Sequence, residues 1–506
     1  MIAEIPDLIA KRAELGPERT AMEDSASGRT VTYGKLDARA AQAASLMASC
    51  GIAEGDRVAI LCRNRIEFFE LLFGCAKLGA ILVPLNWRMP PSELDQLVAD
   101  AEPGLLLYGS EETDAAHALG RGLTAIGLDE DYEDRLAAAP AGRWRSHWPS
   151  DGIWYLLYTS GTTGRPKGVI YTFRMALANH ANIGSAIDLR STDSTANFLP
   201  LFHTAGINLH SLPTLFAGGR VIVVPNFEEE DLVRLFEARR LDTFFAVPAV
   251  YQSLLEHPRF AAAPLAAVRH WGCGGAPLPD RLVERYRGLG VRVCNGMGMT
   301  ETGPTAFLAD PADAWERIGS VGKPQLLCSV RIVDDEGRDV PDGTDGDLLF
   351  GGPGVTPGYW RNAAATREAF TADGWLRSGD IARRDADGFY YIAGRRKEMF
   401  ISGGENVYPA EVENVLCTHP AVAEVAVVAA PDEQWGEVGR AFILPIPGVA
   451  ALDFAELESF CRDRLAPYKV PRIFEIVADF PRTPAGKIRK HELGREASPL
   501  RLVTVR

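Results

Sequence analysis

The chain has 506 residues, 46% apolar and 24% charged, with a formal charge of -14 and an isoelectric point near 5.3. That length exceeds what one hydrophobic core fills, so two or more domains are expected. The acidic balance, with no basic run, excludes nucleic acid as the main partner. From residue 30 to 108, short apolar runs alternate with amphipathic segments. Strands are expected at 57–62, 80–83 and 105–108, and helices at 67–78 and 92–99, a pattern that predicts a largely parallel, helix-covered sheet. The most apolar long stretch, 71–85, is interrupted by Lys77, Gly79 and Pro84 and is too short for a bilayer, so no stable membrane insertion is expected. The N-terminal MIAEIPDLIAKRAEL carries acids and does not read as a secretory signal.

After a Pro/Ala/Gly-rich connector (137–152) comes a stretch reading YTSGTTGRPKGV, residues 158–169. Glycines let backbone approach an anion, hydroxyl and N–H groups donate to phosphate oxygens, and Lys167 supplies positive charge. An apolar strand at 154–158 precedes it and a helix is expected from Tyr171, the setting of a phosphate cradle. It is not a Walker A loop, since GxxxxGK[ST] is absent from the chain. The alternation then resumes, with strands expected at 196–199, 220–224, 243–247, 268–272 and 291–294 and a clear helix at 228–240. From 329 to 350 turn signals (DDEG, PDGTDG, GGPG) separate short β-rich runs, which predicts a small antiparallel barrel or sheet. A further shift at GRRK (394–397) opens a segment of roughly 110 residues, a usual size for an independent α+β domain. The eight cysteines lie scattered without a CxxC pair, the pattern of buried thiols in a reducing cytoplasm.

Residues 295–303 read NGMGMTETG. A Thr-Glu pair beside a nucleotide could hold Mg²⁺ through Glu301 and a phosphate oxygen through Thr300; the same residues would also serve as a helix N-cap with an acidic first turn. Upstream, HWGCGGAPL (270–278) has adjacent glycines suited to a flat ligand against backbone. LPLFHTAG (199–206) holds His203. Ser378-Gly379-Asp380 puts a carboxylate after a tight turn, where it could accept two hydrogen bonds from a ribose diol. SGGENVYPAEV (402–412) and PRTPAGKIRK (481–490) complete the set, the latter a stiff loop presenting Lys487.

In order and content these stretches, spanning residues 30–490, resemble the adenylate-forming superfamily of acyl-CoA synthetases, peptide-synthetase adenylation domains and beetle luciferases. The resemblance implies an α/β fold. A large multi-subdomain N-terminal domain (1–394) would hold helix-covered sheets and a small β-barrel, and a small mobile α+β C-terminal domain (395–506) would follow. It implies ATP-dependent activation of a carboxylic acid, a medium-chain fatty or aryl acid, to an acyl-adenylate, then transfer to coenzyme A. Thr159, Ser160, Gly161, Thr162, Thr163, Gly164 and Lys167 would bind phosphate; Thr300 would touch the α-phosphate and Glu301 the Mg²⁺. Gly274, Gly275 and Ala276 would line the adenine and acyl pockets, with Met297 standing where the family usually has an aromatic residue on adenine. Asp380 would bind the ribose, with Arg395 near it. His203 would gate an acyl pocket bounded also by Ala205, Val247, Cys273 and Met299. Gly403 and Gly404 would line a pantetheine tunnel, Lys397 would be the hinge, and Lys487 would bridge the carboxylate and α-phosphate. No aspartate lies near Thr204 to hold an ammonium, which favours a fatty or aryl acid over an amino acid. A carrier protein is the alternative acceptor. The resemblance also leaves room for a homodimer, and for a lysine acetyltransferase acting on Lys487.

Overall fold

The computed structural model describes residues 3–119, 122–140, 142–159, 166–446, 449, 452–482 and 488–493. Its first sheet has six strands, ordered in space Lys167–Thr172, Ile153–Thr159, Ile81–Pro84, Arg57–Leu61, Leu105–Tyr108, Thr124–Gly127. All neighbours are parallel except the first pair, which is antiparallel. The second sheet has nine strands, in the order Lys323–Pro324, Thr305–Leu308, Val293–Gly298, His270–Cys273, Thr243–Ala246, Ser194–Asn197, Arg220–Val223, Thr20–Asp24, Thr30–Thr32. Its five central strands are parallel, as the β–helix alternation requires.

Helix Ile66–Leu78 is buried along nearly its whole length. It shares one core with helix Tyr33–Ser49 and with strands of both sheets. A helix apolar on every face must be covered on every face. Lys77, the one cation in its last turn, is buried with it, and its Nζ sits 2.6 Å from both Asp7 and Asp37. Breaking such a buried pair by removing one partner would cost about 3–5 kcal/mol.

The turn-rich region forms a four-stranded antiparallel sheet of Ser329–Val333, Gly346–Gly351, Leu376–Arg384 and Tyr390–Arg395. It is an open sheet rather than a closed barrel among the described residues. Its apolar face packs on Ala306 and Phe307 of the nine-stranded sheet, and Gly322 bridges to Tyr390. Beyond it, helices Pro409–Cys417 and Phe454–Arg462 share a core with strands of a five-stranded sheet. The fold is therefore the expected α/β assembly of a large N-terminal part and a small α+β C-terminal part.

Two local expectations are corrected. The stretch after the glycine-rich loop begins as strand Lys167–Thr172, antiparallel to Ile153–Thr159, and the helix starts only at Phe173. The described residues on either side of the loop are thus two paired strands. Likewise strand Val293–Gly298 runs through both glycines of NGMG instead of stopping at Cys294. All eight cysteines are free thiols. No helix among the described residues is long and apolar enough to cross a membrane.

Candidate active site

Residues 160–164 of the glycine-rich loop, and Lys487, lie outside the described residues. What is described is how each is anchored. Thr159 and Lys167 face each other at the neck of the hairpin, with Thr159 Oγ1 3.5 Å from the Lys167 carbonyl. The strand carrying Lys167 is also held from its other side. Ile170 N donates to Gly358 O at 3.1 Å and Trp360 N to Gly168 O at 2.7 Å, while Val169 bridges to Tyr359. This lays the Tyr359 ring under Lys167, whose Nζ is 5.2 Å from the ring centroid.

Thr300 and Glu301 occupy a single 3₁₀ turn, Thr300–Thr302, and are only 8% and 7% exposed. Thr302 closes the turn, since its Oγ1 accepts from Met299 N at 3.0 Å. The Tyr359 hydroxyl donates to Glu301 Oε1 at 2.9 Å, and Thr356 N donates to the Glu301 carbonyl at 2.8 Å. Segment 356–360 thus fastens the Thr-Glu turn to the Lys167 strand. Burial first, and then the Glu301 charge, raise the Tyr359 pKa, so its hydroxyl remains a neutral donor. Sequence reading missed Tyr359; its only signal was an aromatic residue at the end of a Gly/Pro-rich run. A buried carboxylate beside a threonine hydroxyl is a hard-oxygen donor set of the kind Mg²⁺ takes alongside substrate phosphates and water.

A second network ties this turn to the His203 segment. Tyr171, stacked on Tyr155 at 4.4 Å, donates to the carbonyl of Gly303. Tyr155 in turn donates to Asn208 Oδ1 at 2.6 Å, and Asn179 Oδ1 accepts from Thr305 N at 3.4 Å while its Nδ2 donates to Asn208 O. Asn208 lies in one π-helical turn, Ala205–Leu209, directly after His203. Gly206 is obligatory there, because a Cβ would come within 2.3 Å of the Pro200 carbonyl.

Gly274 is buried, and Gly275 and Ala276 are exposed at the end of strand His270–Cys273. Gly275 takes a φ of 83° and its Cβ position touches Val247. Met297 and Met299 both pack on the core shared with the four-stranded sheet. Cys273 is fully buried in the sheet's apolar layer. Phe244, Ala246, Trp271 and Cys273 point into one apolar layer, whereas Thr243, Phe245, His270 and Gly272 take the opposite face, as period-2 alternation of paired strands demands. It is Phe245 that lies on the glycine face, where a Cβ on Gly272 would meet its ring at 2.8 Å and one on Gly274 at 3.3 Å.

Asp380 is cross-strand partner to Arg395, whose Nε is 2.9 Å from Oδ1. The preceding Gly379 has a φ of 74°, and Ser378 Oγ accepts from Asp380 N at 2.9 Å. Lys397 is exposed in the 3₁₀ turn Arg396–Glu398. Its two neighbours are held on opposite sides: Arg396 pairs with Asp347 at 2.8 Å and Glu398 with Lys490 at 3.0 Å. Lys490 also reaches Glu413 at 2.7 Å, and Arg482 bridges to Ile488, so the base of the Lys487 loop is fixed. Gly403 and Gly404 both have positive φ, and Trp435 covers Gly403 so closely that a Cβ would lie 2.6 Å from its ring.

The AMP-binding enzyme family matches residues 9–360, and the AMP-binding enzyme C-terminal domain matches residues 411–487. The chain belongs to the family of AMP-binding enzymes, and it is an AMP-forming acid–CoA ligase using ATP and coenzyme A. It is 40% identical over 488 residues to a feruloyl-CoA synthase of an Amycolatopsis species, covering 96% of this chain and 97% of that one. It is 36% identical to the indoleacetate–CoA ligase of Aromatoleum aromaticum, over 97% of each chain. Among solved structures, the o-succinylbenzoate CoA synthetase of Bacillus subtilis bound to its acyl-adenylate is similar with a TM-score of 0.88. That match is 32% identical over 98% of this chain and 99% of the other.

Proposed function

We propose that this ligase activates an acid bearing an aromatic ring, and that adenylation takes place at the Thr300–Glu301 turn. The observation that carries the reading is the chain Lys167–Tyr359–Glu301, a cation, an aromatic donor and a buried carboxylate held by one backbone brace. The first step brings two anions together, the substrate carboxylate and ATP. Lys167 and the donors at 159–164 would hold the phosphates, and Thr300 would donate to the α-phosphate oxygen that gains charge. Glu301 would hold Mg²⁺, which supplies further positive charge against the phosphates. Asp380, positioned by Arg395, would accept from the ribose hydroxyls. Gly274, Gly275, Ala276 and Met297 would cover adenine.

Lys487 would neutralise the carboxylate as the carbonyl–O–P bond forms and pyrophosphate leaves. The thiol of CoA would then attack the acyl carbon, forming the thioester and releasing AMP. That second step needs residues 395–506 to turn against 1–394 about Lys397, bringing Gly403 and Gly404 to the thiol path. The split anchoring of Arg396 and Glu398 on either side of Lys397 supports such a hinge. An aryl substrate is supported by Phe245, a ring lying over side-chain-free Gly272 and Gly274, and by relatives named for feruloyl and indoleacetate substrates. His203 and Ala205 would close the acyl entrance, with Val247 and Met299 beside it. Acetylation of Lys487 would remove the charge the first step needs, a homodimer would leave each site complete, and eight free thiols suit a reducing cytoplasm.

The test is acid-dependent ATP–pyrophosphate exchange across aryl and alkyl acids, followed by thioester formation with free CoA and with a phosphopantetheinylated carrier protein. Aryl acids with free CoA should give the highest kcat/KM. A preference for alkyl acids, or for the carrier, would contradict the reading.

A further inference from the structure

Behind Phe245 lies a cavity of about 10 Å³, room for roughly one water-sized atom. It is lined by residues of the π-helical turn and the strand beneath it, including Asn197, Ala205, Gly206, His210, Ser211 and Phe245. Its polar side chains are not equivalent. Asn197 Nδ2 donates to Gly206 O at 2.7 Å and to Ser211 Oγ at 2.8 Å, and Ser211 Oγ donates to Gly206 O at 2.7 Å. His210 is buried, and its Nδ1 lies 3.3 Å from Thr195 Oγ1 and 3.4 Å from Thr243 Oγ1. Its Nε2, on the other edge of the ring, has no hydrogen-bond partner among the described residues. Buried polar atoms are nearly always paired, so an unpartnered imidazole nitrogen on a residue that lines a one-atom cavity points to a place for a polar atom.

We infer that His210 is a specificity-determining residue of the acyl pocket, its Nε2 pairing with a hydroxyl carried on the far end of the substrate acid. The inference rests on the aryl-acid ligase reading and deepens it. His210 stands seven residues after the gate His203, capping the turn that Ala205 opens, and its ring centroid is 5.8 Å from that of Phe245. A substrate ring lying along Phe245 would lie beside this cavity, since Phe245 is part of its lining. The chemistry narrows the group. Burial pushes the His210 pKa down to about 3 and that of neighbouring His270 to about 4, so both rings are neutral. Among the described residues lining the cavity there is no lysine or arginine, so a distal carboxylate would be buried uncompensated. Thr195 Oγ1 accepts from Nδ1–H in one tautomer, and Thr243 Oγ1 donates to bare Nδ1 in the other. Nε2 is then acceptor or donor respectively, and a hydroxyl serves both. An ether oxygen pairs with one tautomer only, and a methyl group with neither.

The test uses phenyl-substituted acids with one-, two- and three-carbon acid arms, each with hydrogen, hydroxyl or carboxylate at ring positions 3 and 4. In the wild-type enzyme at least one hydroxylated acid should exceed its unsubstituted partner tenfold or more in kcat/KM for pyrophosphate exchange, with the carboxylated partner lowest. In His210→Leu that ratio should fall within twofold, whereas His210→Gln, which retains a donor and an acceptor, should keep at least threefold. A second measurement needs no variant: acyl-sulfamoyl adenosines of the same pairs, tested by thermal shift on the wild type, should show the hydroxylated analogue stabilising more. Equal activity with and without the hydroxyl would mean that a fixed water fills the cavity, and would overturn the inference while leaving the ligase reading intact. A hydroxyl preference that persists in His210→Leu would also overturn it. Exchange with alkyl acids alone would instead sink the aryl-acid reading.

Discussion

Replacing Tyr359 by phenylalanine removes one atom from the brace that positions Glu301. The lost contact is the 2.9 Å hydrogen bond to Glu301 Oε1, a bond to a charged group worth about 1.5–3 kcal/mol. Tyr359 is only partly buried, so water recovers some of that, and the lower half of the range applies. In rate terms this is roughly ten- to fortyfold. The deficit should appear in ATP–pyrophosphate exchange at saturating acid, together with a raised Mg²⁺ requirement, because Glu301 loses its fixed orientation. The ring stays in Tyr359→Phe and with it the contact 5.2 Å from Lys167. Tyr359→Leu removes that as well, and since an exposed cation–π contact is worth about 0.5–1 kcal/mol, a further few-fold loss should follow. If both variants exchange pyrophosphate within twofold of the wild type with an unchanged Mg²⁺ dependence, Tyr359 does not hold Glu301 and the brace has no part in adenylation.

Lys487→Ala should lose most of the exchange reaction yet still convert supplied acyl-adenylate and CoA to thioester; equal damage to both half-reactions would make the lysine structural. Lys397→Pro fixes φ at the hinge, so adenylation should survive while thioester formation falls at least tenfold, and normal rates for both steps would place the pivot elsewhere. Stability should fall in acid. His210 and His270 stay neutral in the fold, with pKa values near 3 and 4, but take up protons in the unfolded chain below pH ~6.5. Their contribution is thus complete above that pH and is lost as pH drops toward 4. By pH 5 the pair should cost roughly 4 kcal/mol, seen as a lower urea midpoint, and His270→Phe should remove about half of the acid sensitivity. An acid limb unchanged in that variant would contradict the buried neutral pair.

The parallel strands were legible because each is a short apolar run between turn signals. Leu105–Tyr108 matches its expected bounds, and Arg57–Leu61 differs by one residue. The strand after the glycine-rich loop was not. Lys167–Thr172 runs without a turn into helix Phe173–Ala186, and the boundary is set by Thr172, whose side chain accepts from Met175 N at 3.3 Å. That cap was present in the sequence, but pairing with Ile153–Thr159 had to be known before the residues ahead of it read as strand. The sidedness of Cys273 is not printed in the motif HWGCGGAPL, because alternation of the paired strands sends residue 273 to the face opposite 272 and 274. Tyr359 could not be foreseen, since a bridge to Val169, 190 residues earlier, is what brings it to Glu301. His210 and its cavity are equally non-local, built where one π-helical turn covers a sheet face.

In this ligase a carboxylate oxygen attacks the α-phosphorus of ATP before any thioester forms. Running one turnover with an acid carrying ¹⁸O in both carboxylate oxygens tests this directly. One ¹⁸O should appear in the released AMP and none in pyrophosphate. Label in pyrophosphate or inorganic phosphate, or unlabelled AMP alongside full thioester yield, would contradict it.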